Sequence, residues 1–163
     1  MRIGFCGGLT MTELRFEADI EASAERVFAL LADLRDYDRW LPNSAAFRGT
    51  VRISEGPIAV GTTYLEPGPF GTRRGTVTRM DAPTQLCFEQ PMTLKPRLLG
   101  SIGIKLAHTL TPRGPASVHL SRVLELSPRG PVVLLMPVIL PAFRGENLRM
   151  LQTLKAYAEA NPA

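Results

Sequence analysis

The sequence predicts an α+β fold in which one antiparallel sheet packs against a long C-terminal helix. The chain ends in an amphipathic helical stretch, Pro141–Ala160, while strand-like runs separated by Gly and Pro fill residues 49–126. No segment between those runs has a helical period of useful length. Because consecutive strands without crossover helices pair with their neighbours, the sheet must be mainly antiparallel.

Length and composition indicate one domain. With 163 residues, 45% hydrophobic and 21% charged, the chain can fill a single core and has the composition of a globular protein. We expect residues 12–163 to form this domain and residues 1–11 to be a leader, either disordered or preceding a true start at Met11. The leader lacks the cleavage site of a signal peptide.

Charge, cysteine content and apolar runs narrow the partners and the compartment. The formal charge is +4, but the basic residues are scattered, with Arg73-Arg74 the densest spot, so no nucleic-acid partner is expected. Cys6 and Cys87 form no disulfide framework, which favours a reducing cytoplasm. The run Pro131–Pro141 is shorter than the ~20 apolar residues that span a bilayer, so we expect no stable membrane insertion.

The chain begins with a strand and two short helices. Leu14–Ile20 alternates apolar and polar residues, as a half-buried strand does. Ser23 can cap a helix whose apolar side lies between Val27 and Leu34. A second helical turn, Asp36–Trp40, follows.

Six further strands are predicted, making seven with the first. Their ranges are Thr50–Ser54, Thr62–Glu66, Thr72–Met80, Gln85–Gln90, Ser101–Thr111 and Ser117–Leu126. The Pro- and Gly-containing connection Thr111–Ala116 predicts a hairpin between the last two strands.

The C-terminal helix has one apolar side that one polar residue interrupts. At about 100° per residue, the apolar residues fall in an arc of roughly 120°; they are Phe143, Met150, Leu151, Leu154, Tyr157 and Ala158. Asn147 projects from the middle of this arc and needs a partner or a cavity. Because Pro137 and Pro141 cannot both lie inside one regular helix without a kink, we expect the helix to begin near Pro141. Val132–Leu140 is then either a bent helical extension or an apolar cover.

Four local phrases, in this order and spacing, resemble the START-related superfamily and its polyketide cyclase/dehydrase-like branch. They are ADIEASAERVFALLADLRDYDRWLPN at 18–43, VGTTYLE at 60–66, GTVTRMDAPTQLCFE at 75–89 and GENLRMLQTLKAYAE at 145–159. The resemblance covers roughly residues 12–160. It implies a helix-grip fold: a curved seven-stranded sheet wrapped around the C-terminal helix, two small helices at one end and a hydrophobic cavity between sheet and helix. It supplies no universal catalytic motif.

Two polar residues of the predicted hairpin are candidates to face that cavity. Pairing Leu110 with Val118 aligns the apolar faces of both strands. In this register His108 and Arg122 lie on the same face as diagonal neighbours. A buried guanidinium without a partner costs on the order of several kcal/mol, so we expect Arg122 to meet Glu66, water, or an acidic or carbonyl-bearing ligand. The alternatives are a bulge that lets Arg122 reach solvent and a satisfied core histidine at His108.

Four more residues complete the candidate site. Asn147 is a candidate from its place on the helix, although a hydrogen bond to a strand side chain or a trapped water also explains it. Tyr64 and Trp40 are amphipathic aromatics near the elements that close the cavity in related folds, with core packing as the alternative for Trp40. Glu66 shares the parity of Tyr64 and is a counter-charge candidate for Arg122.

The predicted function is binding of a small, mainly hydrophobic ligand, a polyketide, fatty acyl or isoprenoid compound, in this cavity. No cluster has metal-ligand spacing, and His119 has the opposite parity to His108, so no metal or cofactor is predicted. The alternative is a polyketide aromatase/cyclase or dehydratase that uses His108 or Tyr64 as acid or base and Arg122 to hold an enolate. A third interpretation is an interaction module that forms a homodimer through Val132–Leu140.

Overall fold

One antiparallel sheet forms most of the computed structural model, which describes residues 3–4 and 11–161. Its eight strands run in the order β1-β2-β8-β7-β5-β4-β3, and β6 pairs with β4 and β7. Their bounds are β1 Ile3–Gly4, β2 Met11–Ile20, β3 Thr63–Gly68, β4 Gly71–Asp81, β5 Gln85–Glu89, β6 Met92–Leu94, β7 Ser101–Gly114 and β8 Ser117–Arg129. From Met11 onward the described chain has seven strands, which is the predicted number, and six of them correspond to predicted strands.

The predicted leader lies mostly outside the described residues. Three of its residues are described: Ile3 and Gly4, which pair with Thr12 and Met11 as a short antiparallel strand, and Met11 itself, which begins β2. The interpretation of 1–11 as a leader stays a prediction.

The two longest strands pair in a register that differs from the predicted one by two residues. Leu110 pairs with Leu120, not with Val118, and His108 lies directly opposite Arg122. The reason is that β7 continues through an irregularity between Pro112 and Gly114, which leaves a shorter turn than predicted. Because side chains alternate with a period of two, this shift leaves each residue on its predicted face.

In the middle of the chain one predicted strand is absent and one strand was not predicted. Thr50–Ser54 forms only an isolated bridge, Val51 with Leu65, because Arg52 has a φ of 50° and leaves the extended conformation. The short strand β6 was missed because three residues between two prolines show no alternation.

The predicted N-terminal helices are present. Helix α1 spans Ala24–Ala32, and the Ser23 hydroxyl accepts from the backbone N–H of Arg26 at 3.2 Å. A one-turn 3-10 helix, Tyr37–Arg39, follows within the predicted second turn. Helix α1 contacts β5 and β7 of the sheet and the C-terminal helix.

The C-terminal helix α2 spans Met136–Ala160 and so begins five residues before Pro141. A 3-10 turn, Pro131–Leu135, leads into it, which makes Val132–Leu140 a helical extension. The predicted start was wrong because Pro137 lies in the first turn, where its missing N–H would have no helical acceptor. Only Pro141 removes a helical hydrogen bond.

Helix α2 packs on the sheet mainly through its C-terminal half. Leu151, Leu154 and Ala158 are buried, whereas Val138 is 77% exposed. The inner face of β8 lies beneath the helix with Leu120, Leu124 and other alternating residues buried. This arrangement is the predicted α+β helix-grip fold, and it places the polar residues of β7 and β8 under the middle of α2.

Candidate functional site

A narrow cavity of about 40 Å³ lies between α2 and the sheet. This space holds a few water molecules, whereas a small-molecule site usually measures about 300–1,000 Å³. A bound ligand would therefore require the walls to move apart. The lining residues are Tyr37, Leu41, Phe47, Tyr64, Glu66, Arg73, Phe88, Gln90, Leu106, His108, Arg122, Glu146, Asn147 and Met150.

The Arg122 side chain connects the sheet to the helix and to the neighbouring strand. It is 6% exposed, and its Nε donates to Oδ1 of Asn147 at 2.8 Å. Its Nη1 donates to Nε2 of His108, the residue opposite on β7. Among the described residues no carboxylate lies within 4.0 Å of the guanidinium. Arg122 is therefore a buried cation held by two neutral side chains.

The environment destabilises the charge on Arg122 without removing it. Burial lowers the pKa of Arg122 to about 10, and the nearby Tyr37 and Glu66 offset part of the shift. A group with this pKa is protonated at neutral pH. An anionic or carbonyl oxygen in the cavity would thus find a positively charged donor.

His108 is held as a neutral imidazole. It is 1% exposed, and burial together with the charge of Arg122 holds the pKa of His108 well below its usual range. Because Nε2 accepts from Arg122, the ring proton is assigned to Nδ1, which has no hydrogen-bond partner among the described residues. The edge-to-face contact with Phe88, centroid to centroid 6.0 Å, fixes the ring plane.

Asn147 connects Arg122 to the helix. Its Oδ1 accepts from Arg122, and its Nδ2 donates to the carbonyl oxygen of Phe143 at 2.8 Å. The amide orientation follows from these two bonds. As predicted from the apolar arc of the helix, Asn147 faces the sheet, and its partner is a side chain of a strand.

Tyr64 lies in the wall of the cavity, where it contacts two residues that were not predicted, Gln90 and Gly75. Nε2 of Gln90 donates to the Tyr64 hydroxyl at 2.6 Å. The ring lies over Gly75, where an added Cβ would be 2.1 Å from Cζ of Tyr64. Burial and Glu66 raise the pKa of Tyr64 above its usual range, so the phenol stays neutral. Since Gln90 is the donor, the Tyr64 O–H is free to donate to a ligand.

Glu66 is buried in the cavity wall but is not the direct partner of Arg122. Its Oε2 lies 3.2 Å from Nε of Arg73, its cross-strand neighbour on β4. Its direct partner is Arg73 because directly paired residues of adjacent strands are closest, while its charge still acts on Arg122 from a greater distance and favours the protonated guanidinium, which raises the pKa of Arg122. Arg73 was missed as a lining residue for the same reason.

Trp40 does not line the central cavity. It is buried, donates from Nε1 to the carbonyl oxygen of Leu30 at 3.2 Å and packs edge to face on Tyr37. It borders a separate, shallow cleft of about 120 Å³ near Asp36 and Arg39, which pair with each other at 2.9 Å and are largely exposed. Core packing is thus its role, and Tyr37 is the aromatic of this segment that reaches the central cavity.

A polar latch closes the cavity on its loop side. The Ser44 hydroxyl donates to both carboxylate oxygens of Glu146, at 3.0 and 3.1 Å, and Arg149 donates to them at 2.6 and 3.2 Å. Arg149 also donates to the carbonyl oxygen of Pro42 at 3.1 Å. Burial opposes ionisation of Glu146, but the bonds from Arg149 and Ser44 outweigh it and lower the pKa of this carboxyl. The latch ties the loop 42–47 to α2.

In the part of the chain that the structure describes, no group of three His, Cys, Asp or Glu residues is placed to hold a metal. The site offers the Arg122 cation, a neutral imidazole, a phenol and amides on an apolar wall, and its two carboxylates, Glu66 and Glu146, are paired with Arg73 and Arg149. Such groups can bind and orient a carbonyl or carboxylate and can donate protons.

Comparisons with known proteins agree with this fold. The family model for polyketide cyclase/dehydrase and lipid transport matches residues 11–159. No curated protein matches the chain in sequence.

Solved structures of diverse proteins share the architecture. Norcoclaurine synthase from Thalictrum flavum, in complex with dopamine and hydroxybenzaldehyde, aligns with a TM-score of 0.71 at 16% identity, over 100% of this chain and 99% of its own. The Zhui aromatase/cyclase from Streptomyces sp. R1128 gives 0.72 at 14% identity, over 91% and 94%. A START superfamily protein from Mycobacterium smegmatis gives 0.67 at 16%, over 94% and 99%. The chain belongs to the polyketide cyclase/dehydrase and lipid transport family.

Proposed function

We propose that the protein binds a small, mainly apolar molecule whose one anionic or carbonyl oxygen is held by Arg122. The observation that carries this proposal is the buried guanidinium without a carboxylate partner. Polyketide, fatty acyl and isoprenoid acids or ketones have this combination of an apolar body and one polar end.

The two hydrogen bonds of Arg122 use only some of the N–H groups of its guanidinium. Nε is occupied by Asn147 and one N–H of Nη1 by His108, so the remaining N–H groups can point at a ligand oxygen. A guanidinium often binds a carboxylate through two such parallel bonds. His108 and Asn147 would then hold the fork in position, and both are neutral, so they do not compete for the charge.

The apolar part of the ligand would lie against hydrophobic side chains that line the same cavity. Leu41, Phe47, Phe88, Leu106 and Met150 supply this wall. Burying a ligand there contributes roughly 25 cal/mol per Å² of apolar surface. The loop 42–47 and the N-terminal half of α2 would have to move outward to admit it, since the closed cavity holds only a few waters.

Similar proteins support this class of ligand. One structural relative was solved with dopamine and hydroxybenzaldehyde, which are small aromatic molecules, and another is described as an aromatase/cyclase. The family description names polyketide chemistry and lipid transport.

The test measures the preference for a polar end. Native mass spectrometry and calorimetry compare fatty acids with alcohols of the same chain length, on the wild type, on Arg122→Met and on Arg74→Met, an exposed control. We expect the wild type to bind the acid at least about tenfold more tightly, from a charge-assisted bond of about 1.5–3 kcal/mol. Arg122→Met should lose that preference and Arg74→Met should keep it. No binding of either ligand, or a preference unchanged in Arg122→Met, would refute the proposal.

A polyketide aromatase/cyclase or dehydratase is the second candidate function. The observation that favours it is that a neutral imidazole, His108, and a neutral phenol, Tyr64, line the same cavity as the Arg122 cation. Arg122 would stabilise an enolate while Tyr64 or His108 transfers a proton. If so, Arg122→Leu abolishes turnover of a polyketone and leaves binding of apolar ligands largely intact, whereas a chain that only binds shows no turnover.

A further inference from the structure

Large apolar side chains are exposed together at one end of the sheet. Leu134 is 84% exposed, Val138 77%, Leu98 76% and Phe70 66%. They come from three separate segments of the sequence: the β3–β4 turn, the loop between β6 and β7, and the entry to α2. We call these four residues the apolar tip. Exposing so much hydrophobic surface has a free-energy cost unless something covers it.

The fold fixes these segments against one another. The backbone N–H of Lys95 donates to the carbonyl oxygen of Phe70 at 3.0 Å, which ties the first segment to the second. The 3-10 turns Arg97–Leu99 and Pro131–Leu135 lie against each other, which ties the second to the third. Gly100 supports this contact, because a Cβ there would lie 2.0 Å from the carbonyl oxygen of Arg129. The apolar tip is therefore a built surface.

The charge around the apolar tip has a single sign. Residues 90–104 and 126–145 contain no Asp or Glu. Their charged residues are Lys95, Arg97, Arg129 and Arg144, all of them exposed. The β3–β4 turn, 67–72, has no charged residue. A cover for this surface must accordingly be apolar at its centre and negative around it.

We propose that the apolar tip docks on the surface of an anionic phospholipid bilayer, with its apolar side chains among the acyl chains and the basic residues at the phosphates. Apolar anchors combined with Lys and Arg are the pattern that lies in a membrane interface. A second copy of this chain is a poorer cover, because a symmetric contact would place the basic residues around one apolar tip against the equally basic surface of the other.

The docking is peripheral. By length and composition alone, Pro131–Ala160 is apolar enough to cross a membrane. Its C-terminal half, however, buries Leu151, Leu154 and Ala158 against the sheet and could not leave without dismantling the core. Within Pro131–Ala160, only the N-terminal part, which carries Leu134 and Val138, is available to lipid. This position also places the bilayer beside the helix half that must move to admit a ligand.

The experiment is co-sedimentation of the intact chain with vesicles. One set is phosphatidylcholine alone, and the other contains about one third phosphatidylglycerol. We expect binding at least about tenfold tighter to the anionic vesicles, weakened by salt, because each basic residue near such a surface strengthens binding on the order of fivefold. Arg97→Glu with Arg129→Glu should lose the preference for anionic vesicles. Leu134→Asp with Val138→Asp should lose binding to both.

Matched controls lie at the other end of the sheet. Val60→Asp changes a residue that is 62% exposed, and Arg113→Glu changes one in the β7–β8 hairpin, so neither should weaken binding by more than about twofold. Absence of vesicle binding, equal binding to both vesicle types, or binding that the controls weaken as much as the tip variants would overturn the proposal. So would a dimer in light scattering that Leu134→Asp dissociates, since the apolar tip would then be covered by a second copy.

Discussion

His108 gives the structure a pH dependence that belongs to one residue. The pKa of this imidazole is well below its usual value in the folded chain, so the unfolded chain binds a proton more readily. The contribution of His108 to the free energy of unfolding is therefore fully present above about pH 6.5, the pKa of a histidine in the unfolded chain, and it is lost as the pH falls below that value. The direction is the opposite of that for a histidine stabilised by a carboxylate.

We expect unfolding by urea to show this loss directly. Between pH 7.5 and 5.5 the wild type should lose about 1.4 kcal/mol more stability than His108→Gln, in which the group cannot titrate. The other described histidine, His119, pairs with Asp19 at the surface and is present in both proteins, so it cancels from the comparison. Parallel pH profiles for the two proteins would show that His108 is not held neutral.

The Arg122–Asn147 hydrogen bond permits a double-mutant cycle. Asn147→Leu leaves the buried guanidinium without its Nε acceptor and should cost about 1.5–3 kcal/mol, the range for a bond to a charged group. Adding Arg122→Met should recover most of that loss, because replacing both partners by apolar groups removes the unpaired charge. Urea titrations measure the coupling. If the double variant is as unstable as the sum of the singles, the two side chains do not interact.

The sequence predicted the position of a residue correctly where that prediction depended only on which face of the sheet the residue occupies. His108 and Arg122 were placed on one face by alternation, which a two-residue error of register does not change. Glu66 with Arg73, and Tyr64 with Gln90, depend on which residues meet across strands or between them, and that requires the full register. Trp40 was misplaced because sequence gives no direction for a side chain at the end of a helical turn.

At the scale of elements, α2 combines two prolines with different consequences. Pro137 lies in the first turn, where no intrahelical bond is lost, whereas Pro141 removes a donor inside the helix. Pro141→Ala should therefore raise stability by about 1–2 kcal/mol, which is the restored helix less the entropy that the unfolded chain regains. Pro137→Ala is the matched control and should change stability by less than ~1 kcal/mol, with the same or the opposite sign. Thermal unfolding compares them, and equal effects would contradict the assignment.

Element boundaries were predictable where a repeating pattern was long enough. The alternation in β7 and β8 gave both strands, and Ser23 with its following apolar residues gave the start of α1. Thr50–Ser54 has the composition of a strand, but Arg52 turns out of the extended conformation, so tertiary context overrode propensity. Predicting the start of α2 would have required recognising that Pro137 can occupy the first turn of a helix.

For the molecule as a whole, the order of elements predicted an antiparallel sheet packed on a long C-terminal helix, and the structure and its solved relatives confirm it. The width of the space between sheet and helix was not predictable, since it depends on how side chains from distant segments interlock. The described cavity of about 40 Å³ is smaller than a ligand needs. Under the proposed function, binding would be coupled to a separation of α2 from the loop 42–47, which the hydrogen bonds around Glu146 would oppose.

Glu146→Ala should weaken this closure. Ser44 and Arg149 then lose their shared acceptor. We expect the free energy of local opening to fall by ~1.4 kcal/mol, so amide hydrogen exchange in 43–47 should accelerate by about tenfold. A fatty acid should associate faster with the variant, because less of the closed state must be disrupted. Asp36→Ala removes the exposed partner of Arg39 and is the control without effect. Unchanged exchange in Glu146→Ala would mean that apolar packing of Leu41 and Phe47, rather than the polar latch, keeps the cavity closed.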